Sequence, residues 1–388
     1  MVGLHCTYMK TEEFINPTCK RTVDAVKFIS FLDLTPILTT IEEFYGEPWR
    51  HRHSPEAVLR LLALYKLKRF RFLTELWRLL DDEALKLLGF RWRPSYKTVW
   101  HWIHARFRSE GLETIHAALL KVMGEELAVQ GIQLGLKIAG DASPIQARPW
   151  DPEAEYNGYY QKLCYLVHRL ICCTTNLTLS WGVTPGNVDE TYLLPPLLVK
   201  ALLLGVTPEE AGFDNGYASP WSYTLLGLLG VKPFIGFRKN AKPNWRGKPK
   251  TLRLRFKKMV KTSVLNTEQL QPLNLDPDPD RNSLEKNLSG LMIAKQHEYV
   301  GAYYRNLSLN EFNEDGESWL NLYTPMRNRI EGSHGHQKDW LDLDNLRERG
   351  LQKARLHTAL AMLSEATVAY TRVQNGVTEG LTNLAGLK

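Results

Sequence analysis

Cysteine is scarce in this chain of 388 residues, and its placement argues against two kinds of site. Cys6, Cys19, Cys164, Cys172 and Cys173 make an odd number with no Cys-x-x-Cys pair, which fits neither a disulfide framework nor a thiolate zinc site. A reducing compartment follows. Long apolar runs are also missing. The best candidate, Leu193 to Leu204, is broken by Pro195, Pro196 and Lys200 and falls short of the roughly 18 residues of a membrane span. Near the start, Glu12 and Glu13 stand where a signal peptide would be basic and then apolar. The expectation is a cytoplasmic protein with no membrane partner. Acidic residues are absent from one long stretch, 231–265, which holds twelve lysines and arginines.

What is present is a basic chain, with a net charge of +7 and a pI near 9.0, which points to a polyanionic partner. Residues 51–110 alone carry thirteen basic and six acidic residues, an excess as large as that of the whole chain. The acid-free block includes Arg253, Arg255, Lys257 and Lys258, a phosphate-binding surface by its single sign. With 44% of residues hydrophobic and 23% charged, the rest of the chain can bury a substantial core.

The first half opens with helices. Ser54-Pro55-Glu56 is a helix start, followed by Val58, Leu61, Leu62 and Tyr65 at helical spacing. A second segment covers Leu73 to Leu80, and Ser95 caps a third that runs through Val99, Ile103 and Phe107. This third helix carries Lys97, His101, His104, Arg106 and Arg108, which suits a helix-turn-helix reader of DNA. Trp77, Trp92, Trp100 and Trp102 read as packing residues. A long helix, Leu112 to Val129, closes a helical segment placed at 1–131.

Beyond it the period changes. Ile132 to Ala139 alternates like a strand that ends at Gly140-Asp141, and Leu163 to Cys173 with Leu177 to Val183 reads as a hairpin about Thr174-Thr175-Asn176. A helix from Glu190 to Leu204, a strand ending at Phe213-Asp214, a helix to Gly227 and a strand at Val231 to Phe237 follow. These make an α/β core, with first part 132–239, an insertion at 240–288, a second part at 289–376 and a tail at 377–388. Gly290 to Ala294 and Tyr299 to Tyr304 resume regular structure, and the last helix runs from Gly350 to a stop at Asn375-Gly376.

The second part of the core holds the most informative stretch, residues 323–338. Thr324 as N-cap and Pro325 at the first helical position would start a helix there. Arg327, Glu331, His334 and Lys338 then lie on one stripe, at i, i+4, i+7 and i+11. Arg327 and Glu331 alone would be an ordinary solvated pair. Gly332 and Gly335 each cost a helix about 1 kcal/mol, an expense to be offset by close approach of a backbone or ligand. If Asp141, Asp214 and Glu331 converge, they form an all-oxygen site for two Mg²⁺ or Mn²⁺ ions, about 4 Å apart, suited to phosphodiester chemistry. Arg327 and Lys338 would bind flanking phosphates and His334 the DNA. His334 with His336, or His51 with His53, lacks the further ligand a zinc site needs.

Four motifs stand in order: Gly140-Asp141-Ala142-Ser143, Thr184 through Asp189, Phe213-Asp214-Asn215-Gly216-Tyr217, and Arg327-x3-Glu331-x6-Lys338. Over roughly residues 50 to 370 the chain thus resembles the DDE transposases of prokaryotic insertion sequences, in particular those with a tyrosine-arginine-glutamate-lysine signature. The resemblance implies an RNase H-like mixed sheet flanked by helices, an N-terminal all-α domain for terminal repeats, and an insertion in the core. It implies Asp141, Asp214 and Glu331 as catalytic metal ligands, double-stranded DNA as partner, a homodimer in the DNA complex and association with the nucleoid. The signature's tyrosine falls on Thr324, with Tyr323 one residue early as the DNA contact; Trp245 and Trp340 are the candidates for a base-flipping tryptophan. Two rival readings stay open: a structure-specific nuclease of the same fold, and a transposase-derived DNA-binding protein without catalysis.

Overall fold

The computed structural model describes residues 24–45, 53–70, 72–237, 297–385 and 387. The insertion expected at 240–288, with Arg253, Arg255, Lys257 and Lys258, lies outside them, as does Gly290 to Ala294. Two short helices, α1 (Ala25–Ser30) and α2 (Leu38–Tyr45), precede α3 (Pro55–Leu67). Ser54 caps α3 as its sequence predicts, its hydroxyl accepting from the Ala57 N–H at 3.2 Å. Val58, Leu59, Leu61, Leu62 and Leu64 are all buried, so α3 is apolar nearly all round. A helix enclosed on every side has that pattern.

Next come α4 (Leu73–Leu79), α5 (Asp82–Leu87), α6 (Tyr96–His101), a π-helical stretch (Trp102–Phe107) and α7 (Arg108–Val129). Ser95 caps α6 by accepting from the Thr98 N–H at 3.1 Å. Arg93 ties the preceding loop down, donating to the Leu80 carbonyl at 2.6 Å and the Asp82 carboxylate at 3.0 Å.

The sheet contains β1 (Lys137–Gln146), β2 (Glu155–Asn157), β3 (Lys162–Cys172), β4 (Thr178–Pro185), β5 (Glu210–Phe213) and β6 (Lys232–Ile235). Its order is β2-β3-β1-β5-β6, with β4 also paired to β3. Pairing is antiparallel among the first four strands and parallel from β1 to β5 to β6. The fold is therefore a mixed α/β fold with helices flanking the sheet. Asn176 makes the turn between β3 and β4 with φ +60, a conformation asparagine tolerates.

Two expectations need correction. The first strand does not stop at Gly140: β1 pairs with β3 from Ile138 to Gln146, so Asp141 sits mid-strand. Pro144 misled the reading. Past Gly140, β1 has no partner on its β5 side, so a residue without an N–H is tolerated there. The second correction concerns the helix expected to start at Thr324.

Between β4 and β5 lie a 3₁₀ turn (Glu190–Tyr192) and α8 (Leu194–Leu202), and α9 (Pro220–Leu228) joins β5 to β6. Beyond residue 296 come α10 (His297–Glu314), α11 (Gly316–Leu341) and α12 (Leu351–Gln374). Pro325 is inside α11, whose true cap is Asp315, accepting from the Ser318 N–H at 3.0 Å. Trp319, Tyr323, Met326 and Ile330, buried at helical spacing, explain why the helix continues across a proline. With Ala139, Ile171 and Phe234 of the sheet they form one apolar cluster. Burying that stripe outweighs the roughly 3 kcal/mol a mid-helix proline costs.

Gly212 makes the seating of α11 on the sheet possible. A Cβ there would stand 2.8 Å from the Met326 Cβ. On the other side, α12 packs against α7 and α3, and Ser364 donates to the Ala63 carbonyl at 2.8 Å. Residues of the N-terminal helices, the sheet and α12 share a second, larger core.

Candidate functional site

Strand register brings the first two acids together. Gly140 of β1 pairs with Phe213, the last residue of β5, in parallel, so Asp141 on β1 and Asp214 just beyond β5 come next to each other. Asp141 accepts from the Ala142 N–H at 2.8 Å, and Asp214 from the Gly216 N–H at 2.7 Å. Those bonds orient both carboxylates.

A third carboxylate joins them, and it is Glu190. Asp141, Glu190 and Asp214 each offer an oxygen within 4.8 Å of the others. Glu190 begins the 3₁₀ turn that Asp189 caps, with the Asp189 carboxylate accepting from the Thr191 N–H at 2.8 Å. One Glu190 oxygen, Oε2, is buried without a hydrogen-bond partner. Crowded, partly buried acids resist ionising together. Burial, then the Asp214 charge, pushes Asp141 up to about 7, with a smaller contribution from Glu331. Burial with the charges of Asp214 and Asp141 pushes Glu190 up to about 8. The set has hard oxygen donors, a shared focus and an orphaned acceptor, which fits a hard divalent cation.

Glu331 lies nearby but outside this group. Its half-exposed carboxylate accepts from Arg327 Nε at 2.7 Å. Tyr323, one turn before Arg327, is buried against Trp319, with ring centroids 4.9 Å apart, and lies close enough for the Arg327 charge to act on its hydroxyl. Thus Tyr323, Arg327 and Glu331 form a chain along α11. Lys338 is occupied too, 3.4 Å from an Asp344 oxygen.

His334 was expected at the DNA surface, yet it is buried beneath the site. Its Nε2 is 3.9 Å from Asp141 Oδ2, and neither ring nitrogen has a hydrogen-bond partner. Burial, with the charges of Arg169 and Lys338, holds its pKa well below the usual range, so the ring is neutral. Arg169 is the cross-strand partner of Asp141 and is fully buried. Its guanidinium donates to the Ser333 hydroxyl, which ties α11 to β3 two residues beyond Glu331. Tyr160 closes another side, its hydroxyl donating to the Ala142 carbonyl at 3.3 Å.

The remaining basic residues divide. Lys97 and Arg108 are exposed, as DNA contacts would be. Arg106 instead turns inward: its guanidinium donates to the Tyr45 carbonyl and lies over the Tyr45 ring, 5.7 Å from the centroid. Its alkyl stem and fork act in packing.

Gly332 and Gly335 do not serve a close approach within the protein, since a Cβ at either meets nothing within 4 Å. Gly332→Ala and Gly335→Ala are therefore each expected to raise stability by about 0.5–1 kcal/mol, measurable by urea denaturation. A loss of DNA binding alongside that gain would place a ligand's backbone against this face; a loss of stability would refute the open-space geometry.

Sequence reasoning missed Glu190 and read it only as a helix start. The signal was modest: a second acid directly after Asp189, at the end of a quoted motif. No family model matches this chain, and no curated protein matches its sequence. Among the described residues, no helix is long and apolar enough to cross a membrane.

Proposed function

We propose that this chain is a DNA transposase that binds the ends of its element, cuts there, and joins the freed 3′-hydroxyl to target DNA. One observation carries the reading: Asp141 of β1 and Asp214, just past the end of the parallel β5, stand side by side, with Arg327 and Glu331 on a helix packed over them. An RNase H-like core would present its acids in this way. The mixed sheet and the resemblance of the four motifs point in the same direction.

Divalent ions bound here would activate a water or 3′-hydroxyl and stabilise the departing oxygen. Asp141 and Asp214 are the ligands in this reading, with Glu331 and Glu190 contending for the third place. Arg327 links the two alternatives. In the DNA-free protein it neutralises Glu331. A DNA phosphate competes for the guanidinium, because bidentate Arg–phosphate pairs are strong, and so frees Glu331 to turn toward Asp141. Exposed Lys97 and Arg108 and the basic block at 231–265 supply binding to the remaining phosphates.

The test is strand transfer by the purified chain, using pre-cut DNA ends from the sequences flanking its gene and a target plasmid. Joined products in Mg²⁺ or Mn²⁺, absent in EDTA, are expected. Nicks without joining would make it a nuclease, and intact DNA under all metal conditions would leave a DNA-binding protein without catalysis.

A further inference from the structure

Away from the acids, a cavity of about 250 Å³ opens between the N-terminal helices and the segment that follows α11. Lys66, at the end of α3, projects into it and is only 4% exposed. Its Nζ is 2.9 Å from His357 Nδ1. His357 Nε2 faces the carbonyls of Asp342 and Leu343, each at 3.1 Å, and a carbonyl can only accept. The ring hydrogen is therefore on Nε2, and Nδ1 accepts from Lys66.

That leaves Lys66 poorly served. An ammonium group has three donors, and among the described residues this one has a single hydrogen-bond partner and no carboxylate within ion-pair distance. Burial holds the amine down to about 7, partly offset by the charge of Asp342, which lines the same cavity with Glu348 and Lys353. Besides His357 it has, among the described residues, only the Tyr65 ring, 5.9 Å to the centroid, so it keeps donors to spare for an anion entering the cavity. A second cation repeats the pattern. Arg347 lies over the Phe72 ring, 5.9 Å from its centroid, and its Nε is buried without a partner.

The other wall is aromatic and open to solvent. Phe72, Tyr96 and Trp100 line the cavity and are 54%, 39% and 45% exposed. Exposed rings beside orphaned cationic donors complement a ligand that is planar at one end and anionic at the other. We propose that this cavity binds a nucleotide, its phosphate on Lys66 and Arg347 and its base against Trp100 and Tyr96. The same chemistry comes from a free nucleoside phosphate or from one nucleotide of a DNA strand. The proposal does not depend on the acidic cluster.

Calorimetric titration of the full chain with dAMP, adenosine, inorganic phosphate and a short oligodeoxythymidylate strand tests it. A nucleotide-bearing probe is expected to bind, with adenosine and phosphate at least about tenfold weaker. Lys66→Met and Trp100→Ala are each expected to weaken that probe by about tenfold or more, whereas Asp141→Asn leaves it unchanged. Trp100→Ala alters a half-exposed ring and keeps the test valid should Lys66→Met fail to fold. Binding of dAMP that the strand cannot displace identifies a free nucleotide; binding of the strand that weakens in both variants identifies a nucleotide of DNA. The proposal is overturned if neither probe binds at millimolar concentration, or if affinity survives both substitutions.

Discussion

Asp141→Asn and Asp214→Asn are expected to lower metal-dependent DNA cleavage by at least about 10³-fold, or roughly 4 kcal/mol of transition-state stabilisation, while leaving DNA binding intact. Each substitution keeps the shape of the side chain and removes the charge that would hold a cation. Gel-shift binding measured beside nicking separates loss of chemistry from loss of DNA. The informative comparison lies between the two glutamates. If Arg327 yields Glu331 to the metals when DNA binds, Glu331→Gln equals the aspartate variants and Glu190→Gln costs about tenfold or less. The opposite ranking would assign the third ligand to Glu190 and make the Arg327–Glu331 pair a surface ion pair. Full cleavage by either aspartate variant would remove that residue from the site.

The second large effect is on stability. Asp141 and Glu190 have native pKa values near 7 and 8, raised from 3.8 and 4.5, so the native state holds protons that the unfolded chain releases. Their contribution is fully present below about pH 4 and is lost as pH rises through 7 to 8. Buried neutral histidines work in the other direction. His116 and His168 are lowered by burial from 6.5 to about 4 and penalise folding as pH falls below 6.5. Above that point Lys66, whose amine is lowered by burial from 10.5 to about 7, opposes the carboxylates, because its folding penalty is relieved as pH rises past 7. Relative to Asp141→Asn, in which the Lys66 contribution is the same, the metal-free protein is expected to lose melting temperature between pH 6.5 and pH 8.5. A loss of about 2 kcal/mol is the expected scale, or a few degrees for a chain of this size. Added Mg²⁺ or Mn²⁺ at pH 8.5 should restore the melting temperature by binding the native state. Asp141→Asn should abolish most of the metal effect. Equal melting curves for wild type and Asp141→Asn across this range would mean that the carboxylates are not crowded, and the cation site would lose its support.

Several features were legible before any fold was known because they are local. Ser54 and Ser95 cap helices through bonds three residues away. The β3–β4 turn and the stop of α12 at Gly376, where φ is +74, depend on residues that tolerate left-handed backbone. Asp141 and Asp214 were recognisable because each follows an apolar run whose period declares a strand. Where a local rule met a stronger distant one, the reading failed. Pro325 looks like a helix start, but the apolar stripe from Trp319 to Ile330 is satisfied only against a sheet built from residues more than eighty positions earlier. Pro144 looks like a strand end until β3 is seen to pair past it.

By itself, then, the sequence determined the alternation of helix and strand, the excess of basic charge and the two aspartates that each follow a strand-like run. Only the tertiary structure decided who their neighbours are. Parallel pairing of β1 with β5 fixes the aspartates side by side, and the 3₁₀ turn after β4 delivers Glu190 to them. The packing of α11 buries His334 and leaves Glu331 on Arg327. Side-chain encounters of this kind depend on register and packing between segments far apart in the chain, and periodicity within one segment carries no information about them.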